Sequence, residues 1–225
     1  VSEASARTVR NGLRRLSHQA DSVLSKLWAL AGLGEPMALL AVGGFGRGEL
    51  FPHSDVDVLV LLPDGHSPET DAVLKAKLET FIGYCWDIGL EIGSSVRTLS
   101  ECLAESDRDV TIQTSLLECR LITGSAELVT RFRQEFFAAM DPQAFFVAKT
   151  LEMRQRHTKF EDTPYSLEPN CKESPGGLRD LQVILWVAKA AGYGDDWSAL
   201  ASTGLATPFE VRQIQRNESL LYMIR

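Results

Sequence analysis

Asp55 and Asp57 sit one residue apart in "SDVDVLVLL", a run that is otherwise apolar. Side chains alternate across a strand, so both carboxylates point to one face. Two unpaired carboxylates held side by side repel each other, and a divalent cation bound by hard oxygen ligands relieves that repulsion. The pair is therefore a candidate metal site. Val56, Val58, Leu59, Val60 and Leu61 flank it and anchor the strand. Taken alone, the spacing is better explained by a turn cap at Asp55 and an exposed edge position at Asp57.

The residues just upstream change that weighting. Met37–Val42 is a short apolar run, and Gly43-Gly44-Phe45-Gly46-Arg47-Gly48 follows it directly. Glycines at 43 and 44 let backbone N–H groups approach a phosphate closely, and a short helix starting there adds its dipole. Arg47 can supply a charge-assisted contact to the same phosphates. The stretch is not a Walker A loop, because no Gly-Lys-Ser/Thr follows, and it matches GxGxxG only loosely. By itself it is a tight turn between two strands. A phosphate cradle and a carboxylate pair in consecutive elements together describe a site for a metal-bound nucleoside triphosphate.

The elements that must position these groups are legible in the periodicity. Residues 2–31 carry Leu13, Leu16, Ala20, Val23, Leu24, Leu27 and Leu30 at helical steps. "AGLGEP" breaks that helix. Strands are expected at Met37–Val42, Val56–Leu62 and Leu90–Val96. A helix covers Ala72–Trp86, with its start at Ser67 and Pro68 and its end at "DIG". After Thr98 the pattern turns helical through "LSECLAES", "DVTIQTSLLEC", "SAELVTRFRQEFFAAM" and "PQAFFVAKTLEMRQRHTKF", with a possible short strand at "RLITG". A polar, proline-rich stretch, "EDTPYSLEPNCKESPGG", precedes two closing helices. The expected fold is α/β plus all-α, a small mixed-sheet domain followed by a helical domain. Its segments are an N-terminal helix at 1–34, the sheet domain at 35–125 and the helical domain at 126–225.

Composition is that of a soluble globular chain: 225 residues, 44% hydrophobic, 24% charged, net charge −7. The acidic balance repels phosphate backbones, so no nucleic-acid partner is expected. No apolar run approaches a membrane span, so no membrane partner is expected either. Cys85, Cys102, Cys119 and Cys171 form no CxxC pair and read as reduced thiols of a cytoplasmic protein. Trp28, Trp86, Trp186 and Trp197 read as core or half-buried packing. His157 reads as a helix-surface or interhelix residue, and the charges of Arg154–Lys159 as a solvated face. The chain starts at Val1 without a methionine and stops at Arg225 inside a helical pattern, as a piece of a longer protein would.

Gly-Gly-x-Gly-Arg-Gly-Glu at 43–49, followed by Ser54-Asp55-x-Asp57 in an apolar strand, resembles the nucleotidyltransferases of the polymerase β superfamily. That superfamily usually has Gly-Ser where this chain has Gly43-Gly44. "WDIGLEIGSSVRTLSE" (86–101), "RQRHTKF" (154–160) and "YSLEPNCKESPGGLRDLQ" (165–182) sharpen the likeness. They resemble the N-terminal nucleotidyltransferase region of bacterial PII protein uridylyltransferase/uridylyl-removing enzymes. That family commonly has histidine where this chain has Ser94.

The resemblance implies a multifunctional enzyme of nitrogen regulation. It implies transfer of UMP from UTP to a tyrosine of the PII signalling protein, with pyrophosphate released and Mg²⁺, or Mn²⁺ in its place, held by Asp55 and Asp57. It also implies a third carboxylate on the following strand as general base or second metal ligand. Glu91 is the first choice, and Asp87 at the helix end before Gly89 is the rival. Lys172 and Arg179 flank a Pro-Gly-Gly turn that the family shares, and a cationic loop at a helix start can hold nucleotide phosphates or close over the cleft. The plain alternative for that loop is a structural turn, with Asp180 stabilising the helix end. Full-length relatives carry a His-Asp hydrolase domain and glutamine-sensing domains. None of the four histidines here is followed by aspartate, so neither uridylyl removal nor glutamine control is expected of this piece. Two other functions fit the same residues: an adenylyltransferase or other transferase of the superfamily, and a non-catalytic nucleotide-binding regulatory module.

Overall fold

The computed structural model describes residues 3–165 and 170–225. The chain forms two compact units, one of Gly12–Ala139 and one of Val1–Asn11 with Met140–Arg225.

The first unit is built on a four-stranded mixed sheet. Its strands are β1 (Ala38–Ala41), β2 (Val56–Leu62), β3 (Ile92–Thr98) and β4 (Arg120–Gly124), in the order β3-β2-β1-β4. β1 runs antiparallel to β2 and β4, and β2 runs parallel to β3. β2 is a nearly unbroken Val/Leu run because both its faces are covered. Val56, Val58, Val60 and Leu62 join Leu39 and Ala41 of β1 in a core shared with α1 (Glu3–Leu30) and α3 (Ala72–Asp87), through Leu24, Trp28, Leu78 and Phe81. The alternate positions Ala38, Leu40, Leu59 and Leu61 are buried too. α4 (Leu99–Arg108) packs on β3, and α6 (Ala126–Ala139) packs on β1 and β4. α5 (Val110–Leu117) connects α4 to β4. A single helical turn, α2 (Gly43–Gly46), follows β1.

Side-chain caps set most helix starts. Asp71 accepts from the N–H groups of Val73 and Leu74, so α3 begins there and not at Ser67 and Pro68, which form a turn ahead of it. Thr98 and Glu101 make a reciprocal capping box that ends β3 and opens α4. β3 lies two residues later than the apolar pattern suggests, because its partner register with β2 runs through to Thr98.

The second unit holds α7 (Pro142–Lys159), α8 (Leu178–Ala190), α9 (Trp197–Ser202) and α10 (Pro208–Ile224). α9 is too short to announce itself by periodicity. Ala188, Trp197, Leu200 and Val211 form its core, and the Trp197 indole N–H donates to Glu218 Oε1 at 3.3 Å.

Candidate active site

Asp55 ends the loop before β2 and Asp57 is the second residue of that strand. Both are exposed, while Val56 and Val58 beside them are buried. The pair stands at an open end of the sheet, Asp55 just ahead of the strand and Asp57 at an exposed position within it. Register explains what faces them. β2 and β3 align Val56 with Ile92 and Asp57 with Gly93. The Val56 N–H donates to the Glu91 carbonyl at 3.0 Å, so the alignment continues one residue back and sets Asp55 beside Glu91. Asp55, Asp57, Glu91 and Gly93 therefore occupy one face. Glu91 lies one residue before β3, not within it.

An open cavity of about 560 Å³ is lined by Asp55, Trp86, Gly89, Leu90, Glu91, Ile92 and Gly93. Asp87 is exposed at the end of α3 and lines none of it. Trp86 is 68% exposed, whereas Trp28, Trp186 and Trp197 are buried. Packing as core or half-buried residues describes those three and not Trp86.

The glycines of the turn have separate tasks. Gly43 has φ +56°, a conformation that strains any side chain, and a Cβ there would stand 3.7 Å from Asp57 Oδ2. Gly44 has ordinary φ, and a Cβ would meet only Arg47 Nη2 at 3.6 Å and the Glu49 carbonyl at 3.7 Å. Gly46 is a packing glycine, since a Cβ would fall 2.1 Å from the Glu118 carbonyl oxygen. Gly93, on β3, faces Asp57 Oδ1, and a Cβ there would lie 2.5 Å from it. Nothing in the local sequence signals that role, because it depends on strand register.

Arg47 is engaged within the protein. Its Nε donates to Glu49 Oε2 at 2.9 Å and its Nη1 donates to the buried Glu118. Burial disfavours the guanidinium charge, but the Glu118 and Glu49 carboxylates outweigh that and raise its pKa above the ordinary arginine value. Arg120 makes a second tie. It grips Asp21 with two hydrogen bonds of 2.8 and 3.0 Å and donates to the Phe45 carbonyl at 3.3 Å. The glycine turn is thus clamped from β4, from the end of α5 and by Glu49. Glu49 and Glu118 were not legible as partners of Arg47 from spacing.

Lys172 and Arg179 belong to the second unit, where they meet on one carboxylate. Glu173 Oε1 lies 3.5 Å from Lys172 Nζ and accepts from Arg179 Nη2 at 3.1 Å. Burial raises the Glu173 pKa, but Arg179 and then Lys172 hold it below the ordinary value. Asn170 Oδ1 accepts from the N–H groups of Lys172 and Glu173, both at 3.0 Å. Asp180 accepts from Arg156, from Gly176 N–H at 2.7 Å and lies 3.0 Å from His157 Nε2. His157 is thereby an interhelix residue joining α7 to α8. Residues 166–169 of the proline-rich motif lie outside the described residues.

Mg²⁺ is a fitting occupant for the Asp55/Asp57 end of the sheet. Among the described residues no three His, Cys, Asp or Glu side chains converge as a ready-made metal nest. Magnesium characteristically takes one or two protein carboxylates and completes its shell with substrate phosphates and water. Two exposed carboxylates on one face, with Gly43 and Gly93 leaving space around Asp57, suit that pattern.

The family described as nucleotidyltransferase domain matches residues 27–119, and that described as GlnD PII-uridylyltransferase matches residues 144–225. The chain is 57% identical over 220 residues to a bifunctional uridylyltransferase/uridylyl-removing enzyme of Burkholderia orbicola strain AU 1054, covering 98% of this chain and 25% of that protein. The like-named protein of Burkholderia mallei strain SAVP1 is 58% identical over 221 residues, again 98% of this chain and 25% of the relative. That of Burkholderia thailandensis strain E264 is 59% identical over 213 residues, 95% of this chain and 24% of the relative. The chain belongs to the PII-uridylyltransferase family. It spans about a quarter of the length of the curated relatives it matches. Within this family assignment, the sheet with its glycine turn falls in the nucleotidyltransferase match, and α8 with the Lys172–Arg179 loop falls in the uridylyltransferase match. Among the described residues, no helix is long and apolar enough to cross a membrane.

Proposed function

We propose that this chain transfers UMP from UTP to a tyrosine hydroxyl of a PII-type signalling protein in the cytoplasm, releasing pyrophosphate. The observation that carries the reading is the Asp57 carboxylate, set between Gly43 of the glycine turn and Gly93 of β3. The likeness to uridylyltransferase/uridylyl-removing enzymes supplies the nucleotide and the partner.

Asp55 and Asp57 hold Mg²⁺ in this reading, or Mn²⁺ in its place. The bound ion supplies charge stabilisation on the phosphoryl oxygens. Backbone N–H groups at Gly43 and Gly44 line the phosphates, because Gly43 is free to take φ +56° and neither residue adds a side chain. Arg47, clamped by Glu49 and Glu118, fixes the turn beside the phosphates. Glu91, on the same face as Asp55, accepts the proton of the attacking hydroxyl. Lys172 and Arg179, tied by Glu173, form a cationic loop of the second unit whose charge suits a phosphate group.

The test is incubation of the chain with UTP, Mg²⁺ and PII protein. Pyrophosphate release with a one-uridylyl mass gain on a PII tyrosine is expected. Transfer from ATP in preference to UTP would replace the reading by adenylyl transfer. Nucleotide binding without any pyrophosphate would leave a regulatory module.

A further inference from the structure

Asp57 divides the candidate site into two flanks. Its Oδ2 faces Gly43 in the turn after β1, and its Oδ1 faces Gly93 on β3. The sheet order sets β1 and β3 on opposite sides of β2. Displacement at phosphorus runs in line, with the entering and leaving oxygens on opposite sides of the atom. A triphosphate whose leaving end rests on the glycine-turn flank is attacked from the β3 flank.

That flank carries the cavity of about 560 Å³. Its wall combines two chemistries. Trp86 is 68% exposed there, and Leu90 and Ile92 extend the apolar surface. Glu91 adds a carboxylate that accepts a hydrogen bond, and Asp55 borders it as the proposed metal ligand. A nucleobase such as uracil offers its one N–H donor between two carbonyl oxygens, which carboxylates repel. A phenol presents a flat ring for an indole to pack against and one hydroxyl donor for a carboxylate.

We propose that Trp86, with Leu90, forms the aromatic wall of an acceptor subsite that takes the phenol side chain of a tyrosine on a protein substrate. The proposal rests on the nucleotidyl-transfer reading above. The phenol oxygen forms a bond to the α-phosphorus of UTP. The bond from that phosphorus to the bridging oxygen breaks, and its electron pair leaves with pyrophosphate. The phenol proton passes to the Glu91 carboxylate. Trp86 acts by holding the ring so that its oxygen meets the phosphorus from the β3 flank.

Steady-state kinetics of Trp86→Ala and Trp86→Phe, with UTP and PII varied in turn, test this. The expected result for Trp86→Ala is a rise of at least tenfold in KM for PII, with KM for UTP within twofold of the unsubstituted chain. Trp86→Phe should recover most of the loss. An unchanged far-UV spectrum is expected, because the side chain is mostly outside the core. A rise in KM for UTP with KM for PII unchanged would overturn the proposal and assign Trp86 to the nucleobase. No change in either constant would also overturn it, leaving Trp86 as a surface that another part of the protein covers. Absence of pyrophosphate release by the unsubstituted chain would instead overturn the transfer reading itself, and the acceptor subsite with it.

Discussion

Asp57 Oδ1 stands where a side chain on Gly93 would have to go: a Cβ at 93 would lie 2.5 Å from it. The parallel register of β2 and β3 makes these two residues neighbours. The clashing atom is the end of an exposed side chain, which can rotate away at little cost in stability but not without leaving its position. Gly93→Ala is therefore expected to melt within a few degrees of the unsubstituted chain while transfer falls by about 100-fold, the scale of an ångström-sized misplacement of a catalytic group. Thermal melts beside turnover measurements check it, and full activity would remove Gly93 from the site.

Asp57→Asn keeps the shape of the side chain and removes the charge proposed to hold the cation. Transfer should fall by roughly three orders of magnitude. Because Asp57 is exposed, its melting temperature should hardly move. Chelation of divalent ions with excess EDTA should silence the unsubstituted chain, and added Mg²⁺ should restore it. A folded Asp57→Asn variant with near-normal turnover would contradict the assignment.

Three of the four glycines of the turn, Gly43, Gly44 and Gly46, should separate on substitution. Gly46→Ala drives a methyl group into the Glu118 carbonyl, a backbone atom, and should destabilise by about 3 kcal/mol or more. Gly43→Ala meets no backbone but must hold φ +56°, which costs about 1–2 kcal/mol. Gly44→Ser makes only ordinary contacts and should be neutral in stability, with UTP affinity kept or improved by the added hydroxyl. Denaturant titrations and calorimetric UTP binding read the two effects apart.

Lys149 is buried on α7, with Nζ 2.8 Å from Glu152 Oε2 and 4.6 Å from the centre of the Trp186 ring. Burial lowers its pKa despite Glu152, and Arg179 and Arg156 add to the lowering. The unfolded chain then binds this proton more tightly than the native one does. Stability gains a contribution as pH rises through the native pKa towards 10.5, the ordinary lysine value. Lys149→Met should lose that alkaline gain. At neutral pH it should be unchanged or more stable by about 1 kcal/mol, since an apolar side chain of similar length replaces a buried charge. Urea melts of both proteins at neutral and alkaline pH check the difference.

The four cysteines should divide by reactivity. Cys85 and Cys102 are buried, and burial pushes their thiols up to about 11 and about 12. Cys119 and Cys171 are partly exposed. Iodoacetamide at mildly alkaline pH should label Cys119 and Cys171 first, read by peptide mass spectrometry, with Cys85 and Cys102 labelled only on unfolding. Early labelling of Cys102 would mean that α4 opens readily from the sheet.

Short-range features were legible before any packing was known. Alternation along one strand is enough to put Asp55 and Asp57 on a common face, because the period of two is a property of the backbone alone. The Val/Leu run announced β2, and helical spacing announced α1, α6, α7, α8 and α10. The helical spacing from Ala72 matches α3, but Ser67 and Pro68 carry the same local signals as its true cap, Asp71. What tertiary structure alone decided is every relation between residues far apart in the chain. Gly93 lies opposite Asp57 because of a strand register, and Glu118 reaches Arg47 because α5 ends against the glycine turn. Trp86 resembles the other three tryptophans in composition. Its exposure follows from standing at the end of α3, beyond the stretch whose Leu78, Phe81 and Cys85 pack into the core. A side chain's neighbours across a fold are set by long-range packing, and no local spacing encodes them.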